Sequence, residues 1–141
     1  MSCPYFDPVT PRSPGDPATS MLPLGDRWAG ACLAIPAEPH SPDEPSLATL
    51  CNLGYARESC SRFPRAEGPD AVRFTVAAAS PEAVDLYYVI ERDHHPFAHG
   101  PLTYRLPDGP FIPAPASETL AAQARAYIAS FLHRKQAAAR P

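Results

Sequence analysis

The chain has 141 residues, a formal net charge of −3 and a sequence pI near 5.9, with 45% hydrophobic residues. That length suits one domain with a real core, and the acidic balance argues against a protein that binds nucleic acid by neutralising phosphates. The 20 prolines and 7 glycines stay below the ~25–30% that marks low-complexity disorder, so much of the backbone is expected to be ordered as loops and extended segments, with proline restricting the unfolded chain.

The start, Met1-Ser2-Cys3-Pro4-Tyr5-Phe6, has neither a basic nor an apolar leader region, and no run reaches the roughly 20 apolar residues of a membrane span. A soluble cytoplasmic protein is therefore expected. Residues 1–40 carry prolines at 4, 8, 11, 14, 17, 23, 36 and 39, and no helical period survives there. They read as a wrapping loop, most mobile over 8–20, with one short strand over 28–35.

Ser41-Pro42-Asp43-Glu44-Pro45 reads as a helix start. Ser41 or Asp43 can cap, acidic residues suit the positive end of the helix dipole, and Pro45 belongs in the first turn. The helix is expected over 43–53. Leu47, Leu50, Cys51 and Gly54 follow one face, and Gly54 fits the position after a helix end. A second turn over 55–60 then carries Cys60.

Residues 71–106 change character. Val72, Phe74 and Val76 alternate as in a half-buried strand. Residues 86–91 form a second strand rich in aromatic and β-branched side chains, and 102–106 a third. Residues 81–84 read as a helical turn, 92–100 as a polar connection and 107–110 as a turn. From 117 to about 138, Leu120, Ala124, Tyr127, Ile128, Phe131 and Leu132 make an apolar stripe, with Ser117 as cap and Arg134 and Lys135 suited to the last turn. The fold class is thus α+β: a small, mainly antiparallel sheet of about three strands with a C-terminal amphipathic helix, and a Pro-rich, loop-dominated N-terminal half. The whole, 1–141, is one domain, with the cysteines in 1–70 and the sheet and helix in 71–141.

The chemistry centres on four cysteines, Cys3, Cys32, Cys51 and Cys60, spaced C-x28-C-x18-C-x8-C. In a reducing compartment such a set points to metal ligands or plain core residues before disulfides. Structural zinc usually takes its ligands from knuckles with two to four residues between them, and none is present. A [4Fe-4S] cluster also takes four thiolates, but on four separate irons, and so tolerates ligands on distant loops. Pro4 stiffens the backbone beside Cys3. Gly30, Ala31 and Ala34 would let backbone approach inorganic sulfide, and Tyr5, Phe6, Trp28, Tyr55 and Phe63 could exclude water. Arg57 and Arg62 flank Cys60 and could offset cluster charge. Unligated, buried thiols are the bland alternative.

A second cluster, Glu91-Arg92-Asp93-His94-His95-Pro96-Phe97-Ala98-His99, offers His94, His95 and His99 as an alternative metal site or as groups for proton transfer. The bland reading is a hairpin connection. One histidine could also replace a cysteine ligand, Cys3 at the chain end being the dispensable one. A phosphate-cradling loop, a nucleophile elbow and a zincin motif are all missing, and nothing marks Cys51 or Cys60 as an activated nucleophile. A non-enzymatic role follows: a [4Fe-4S] protein in electron transfer or an accessory, structural role, with a protein redox partner or larger complex. A zinc-stabilised interaction module and a small enzyme using the histidine loop are the alternatives.

Overall fold

The computed structural model describes residues 1–139. It is a mixed α+β fold with two antiparallel sheets and a C-terminal helix. The larger sheet is a sequential meander of four strands: β3 (Ala71–Ala79), β4 (Ala83–Arg92), β5 (His95–Arg105) and the short β6 (Phe111–Ile112). The smaller pairs β1 (Phe6–Arg12) with β2 (Arg27–Cys32).

The period-two pattern of β3 is realised: Val72 and Phe74 are buried while Arg73 and Thr75 are exposed. Across the ladder Phe74 faces Tyr88 and Val76 faces Leu86, and Leu86 in turn faces Leu102 on β5. These cross-strand pairs make the apolar face of the sheet.

Three expectations are corrected here. Residues 81–84 are not helical: Ser80-Pro81-Glu82 turns the chain, with the Ser80 amide donating to the Ala83 carbonyl at 2.9 Å. The polar stretch after Arg92 is not a long connection but a two-residue turn, Asp93-His94, both with positive φ, as tight hairpins demand. Strand β5 therefore begins at His95. Its prolines, Pro96 and Pro101, precede the part paired with β6, which reaches only Thr103 and Tyr104; they sit on an open edge, where a missing N–H costs least.

The N-terminal half is also more regular than its prolines imply. Strand β1 runs through Pro8 and Pro11, with a register irregularity between Pro8 and Thr10. Gly30 faces it so closely that an added Cβ would lie 1.9 Å from the Asp7 carbonyl oxygen. The glycine thus serves the close approach of two strands. Beyond β1, Thr19 is buried, and Asp26 Oδ1 accepts from the Gly15 amide at 3.2 Å.

Helix α1 (Glu44–Ser46) is short, and Asp43 caps it by accepting from the Ser46 amide at 2.8 Å. It runs on into a wide, π-type turn over Leu47–Cys51. Helix α2 (Glu118–Ala139) starts under the Ser117 cap, whose hydroxyl accepts from the Leu120 amide at 3.0 Å. It lies against β1, and its Tyr127 ring stacks on Phe74 of β3 at 5.6 Å. Because it meets both, its buried face is wider than the aliphatic stripe and takes in Gln123 and Ser130. Arg134 does not cap the helix end: it donates to the buried Asp26 carboxylate at 2.7 Å and to the Gly25 carbonyl at 2.6 Å. One apolar cluster joins residues of both halves, from Cys3, Phe6 and Trp28 to Leu86, Leu102 and Ile128.

Candidate metal centre

Four separated segments bring Cys3, Cys32, Cys51 and Cys60 to the border of one cavity. Each is held by backbone hydrogen bonds. Ser2 forms a two-way bridge with Val72 of β3, at 2.7 and 2.8 Å, and the Cys3 amide donates to the Cys51 carbonyl at 3.0 Å. The Gln123 amide group donates to the Cys3 carbonyl at 2.7 Å and to that of Phe6 at 2.8 Å. Cys3 is thus a pinned, buried residue and not part of a frayed chain end.

Cys32 ends β2, faces Phe6, and exchanges backbone bonds with His40 at 2.7 and 3.1 Å. Cys51 closes the π-type turn. Asn52, next to it, is buried: its side-chain amide donates to the Trp28 and Leu47 carbonyls at 3.0 and 2.8 Å, and its Oδ1 accepts from the Trp28 amide at 3.0 Å. That one side chain fastens the turn bearing Cys51 to the strand bearing Cys32. The polar residues Asn52 and Gln123 carried no motif in the sequence, and only their burial reveals them. Gly54, with φ +74°, then ends the turn where an added Cβ would stand 2.7 Å from the Met1 carbonyl oxygen. The second turn is closed by the Cys60 amide donating to the Ala56 carbonyl at 2.7 Å.

Apart from the thiols, the cavity wall is apolar or aromatic: Tyr5, Phe6, Leu50, Ala56 and Phe63 among others. Tyr5 and Phe63 meet edge to face at 5.3 Å. Trp28 and Tyr55, expected to join them, do not. Trp28 faces α2, donating to Ser130 Oγ at 3.3 Å, and Tyr55 turns to the β4–β5 hairpin, where it donates to Glu91 and stacks on His94 at 4.3 Å. Three of the thiols, Cys32, Cys51 and Cys60, also border a cleft of 240 Å3 lined by His40, Asp43 and Arg62. Cys3 does not, so one side of the thiol set faces solvent and the other the core.

All four cysteines are free thiols. Burial pushes Cys3 and Cys51 up to about 12, and the neighbouring sulfurs, as thiolates, add to the rise. Among the described residues no group of three or more His, Cys, Asp or Glu side chains is disposed to hold a metal ion. Four thiolates on one zinc would stand roughly 3.8 Å apart, from a Zn–S bond of ~2.3 Å. The thiols border a common space.

The histidines go separate ways. His94 lies on Tyr55, His95 pairs in register with Arg92, and His99 Nδ1 shares a hydrogen bond with the Tyr87 hydroxyl on the exposed face of the sheet.

The two arginines near Cys60 also differ. Arg57 is fully engaged. It donates to Asp70 at 2.8 Å and to the carbonyls of Pro64, Ala66 and Gly68, and lies over the Phe63 ring at 4.7 Å. Burial alone would raise the Asp70 pKa, but the Asp93 amide and Arg57 outweigh it and hold the carboxyl below its usual value. Arg57 is a clamp on the 57–70 loop. Arg62 has no such set of partners: its Nε is buried without a hydrogen-bond partner among the described residues.

Among the described residues no helix is long and apolar enough to cross a membrane. No family model, curated protein or solved structure matches this chain.

Proposed function

We propose that the chain binds a [4Fe-4S] cluster through Cys3, Cys32, Cys51 and Cys60, and that it serves electron transfer or an accessory role in which the cluster pins the N-terminal half, with a redox protein or a larger complex as partner. The observation that carries this reading is the meeting of four thiols, from segments up to 57 residues apart in sequence, at one apolar cavity. Thiols scattered through a core as small hydrophobes have no reason to share a wall. Here every cysteine of the chain does.

The donor set fits the group. Thiolates are the ligands such clusters take, and the aromatic wall of Tyr5, Phe6 and Phe63 keeps water from the ligands on the core side. When bound, a cluster supplies one-electron redox chemistry at a potential set by charge, hydrogen bonds and exposure. The chain's own part is to hold four thiols on pinned backbone, to release their protons on loading, and to exclude water. Because Cys3 and Cys51 hold their protons to about pH 12 without metal, loading must expel them, and uptake should be favoured by higher pH.

The test is anaerobic purification, or reconstitution with iron and sulfide, followed by metal and acid-labile sulfide analysis. The reading requires iron and sulfide in near-equal amounts, about four of each per chain for a cubane, with broad visible absorbance. A colourless protein with one zinc per chain, or one that takes up neither metal, overturns it. A reversible one-electron transition in the loaded protein distinguishes electron transfer from a purely structural role.

A further inference from the structure

Arg62 stands out in the molecule because one nitrogen of its half-buried guanidinium is neither solvated nor satisfied. Its Nε is buried with no hydrogen-bond partner among the described residues. Its one hydrogen bond reaches from Nη2 to the Glu38 carbonyl at 3.4 Å, a length at which little energy is gained. Leaving a buried charged donor unpaired is costly, so a native structure keeps such a group for a reason.

Its position supplies one. Arg62 follows Cys60 by two residues, and its hydrogen bond to Glu38 spans to the segment that joins Cys32 to His40. It lines the cleft that the half-buried Cys32, Cys51 and Cys60 also border. The other ionisable groups of that cleft are His40 and Asp43. Asp43 is already occupied as the α1 cap. Arg57, the other cation near Cys60, is spent on Asp70 and three carbonyls. A cubane with four thiolates is a net anion, and outer partners that neutralise and hydrogen-bond such a group tune its potential and its retention.

Resting on the cluster reading above, we propose that Arg62 is the positioning residue of the metal centre: it supplies the compensating charge and the free N–H donor on the solvent-facing side of the cluster, bridging the Cys60 and Cys32 segments over it. It ligates nothing itself. Its roles are to stabilise the more negative, reduced state and to slow the loss of iron through the cleft.

The experiment compares wild type, Arg62→Gln and Arg62→Lys, loaded side by side under anaerobic conditions. Midpoint potentials are read by dithionite titration, and iron loss is followed with a chelator at fixed pH. Arg62→Gln is expected to show a more negative midpoint potential and to lose iron roughly 10-fold faster or more. Arg62→Lys, which keeps the charge without the planar fork, is expected between the two. An Arg62→Gln protein with wild-type potential and wild-type iron loss overturns the proposal and leaves the cluster reading intact. A metal-free Arg62→Gln chain that fails to fold by circular dichroism also overturns it, because the arginine would then be structural. If wild type itself takes up no iron and sulfide, the cluster reading fails first and the role of Arg62 with it.

Discussion

The backbone amide of Cys3 donates to the carbonyl of Cys51 at 3.0 Å. This bond ties the first cysteine-bearing segment of the chain to the third and makes the N-terminus part of the cavity's frame. It also predicts that Cys3 is as necessary as the others. Replacing any one of Cys3, Cys32, Cys51 or Cys60 by Ser is expected to lower iron content and visible absorbance strongly, because a hydroxyl is a poor substitute for a thiolate ligand. A Cys3→Ser protein that holds iron and sulfide as wild type does would show that three cysteines suffice.

Asn52 is the hinge pin between the π-type turn and β2. Asn52→Ala removes three buried hydrogen bonds and takes the side-chain partner from the Trp28 amide and carbonyl, while the Leu47 carbonyl keeps its bond from the backbone amide of residue 52. At about 1 kcal/mol for each bond, more where the partner stays buried, the metal-free protein is expected to lose about 3 kcal/mol in urea unfolding. Iron uptake should fall too, since Cys51 loses its register against Cys32. A change below about 0.5 kcal/mol, the scale of an ordinary surface substitution, would contradict the role given to this side chain.

The raised thiol pKa values carry a pH signature. Cys3 and Cys51 prefer the neutral form in the folded chain, moving from an ordinary 9.0 to about 12. The stability this contributes is present below pH 9 and is lost as pH rises through about 12. Tyr55, raised to about 12 by burial and its bond to Glu91, acts with the same sign in the upper part of that window. The metal-free chain, kept reduced, is therefore expected to lose stability with alkali. A Cys3→Ser, Cys51→Ser double variant should show a shallower decline. Identical pH slopes in thermal melts would mean that the thiols are not buried as described.

Arg57 and Asp70 hold the 57–70 loop. The pair is partly exposed on the arginine side, 33% against 10% for Asp70, so solvent screening moderates its worth. Arg57→Ala also frees three carbonyls, and a loss of about 1–3 kcal/mol is expected. Because the Asp70 carboxyl sits below its usual pKa, its contribution is full above the unfolded value of roughly 4 and is lost as pH falls through the folded one. The variant should accordingly be less sensitive to acid than wild type, as urea midpoints at pH 7 and pH 3 would show.

The histidines are predicted to be dispensable for metal. His94, His95 and His99 sit in or after a two-residue turn and contact Tyr55, Arg92 and Tyr87 separately. Replacing all three by Asn should leave iron content unchanged, while losing the His94–Tyr55 stack lowers stability slightly. Loss of iron on this replacement would return the histidines to the ligand set.

Much of this molecule was legible in one dimension wherever the physics is local. The alternation of Val72, Phe74 and Val76, the Asp43 and Ser117 caps, Pro45 in a first turn and Gly54 after a helix end each reflect contacts within a few residues, and the structure repeats them. Pattern alone could not show that β1 would run through Pro8 and Pro11, or that a polar His- and Pro-containing stretch would be a strand. Both depend on which edge of a sheet stays open, a property of the assembled sheet. The spacing of the cysteines raised the question of a shared site. Only the tertiary structure brought them to one cavity, through a bridge from Ser2 to Val72, the reach of Gln123 from α2, and Asn52 between the π-type turn and β2. It likewise parted two arginines that look equivalent beside Cys60, spending Arg57 on a loop and leaving Arg62 with a buried, unpaired donor. A side chain's partners are set by what folds against it, and that is long-range information.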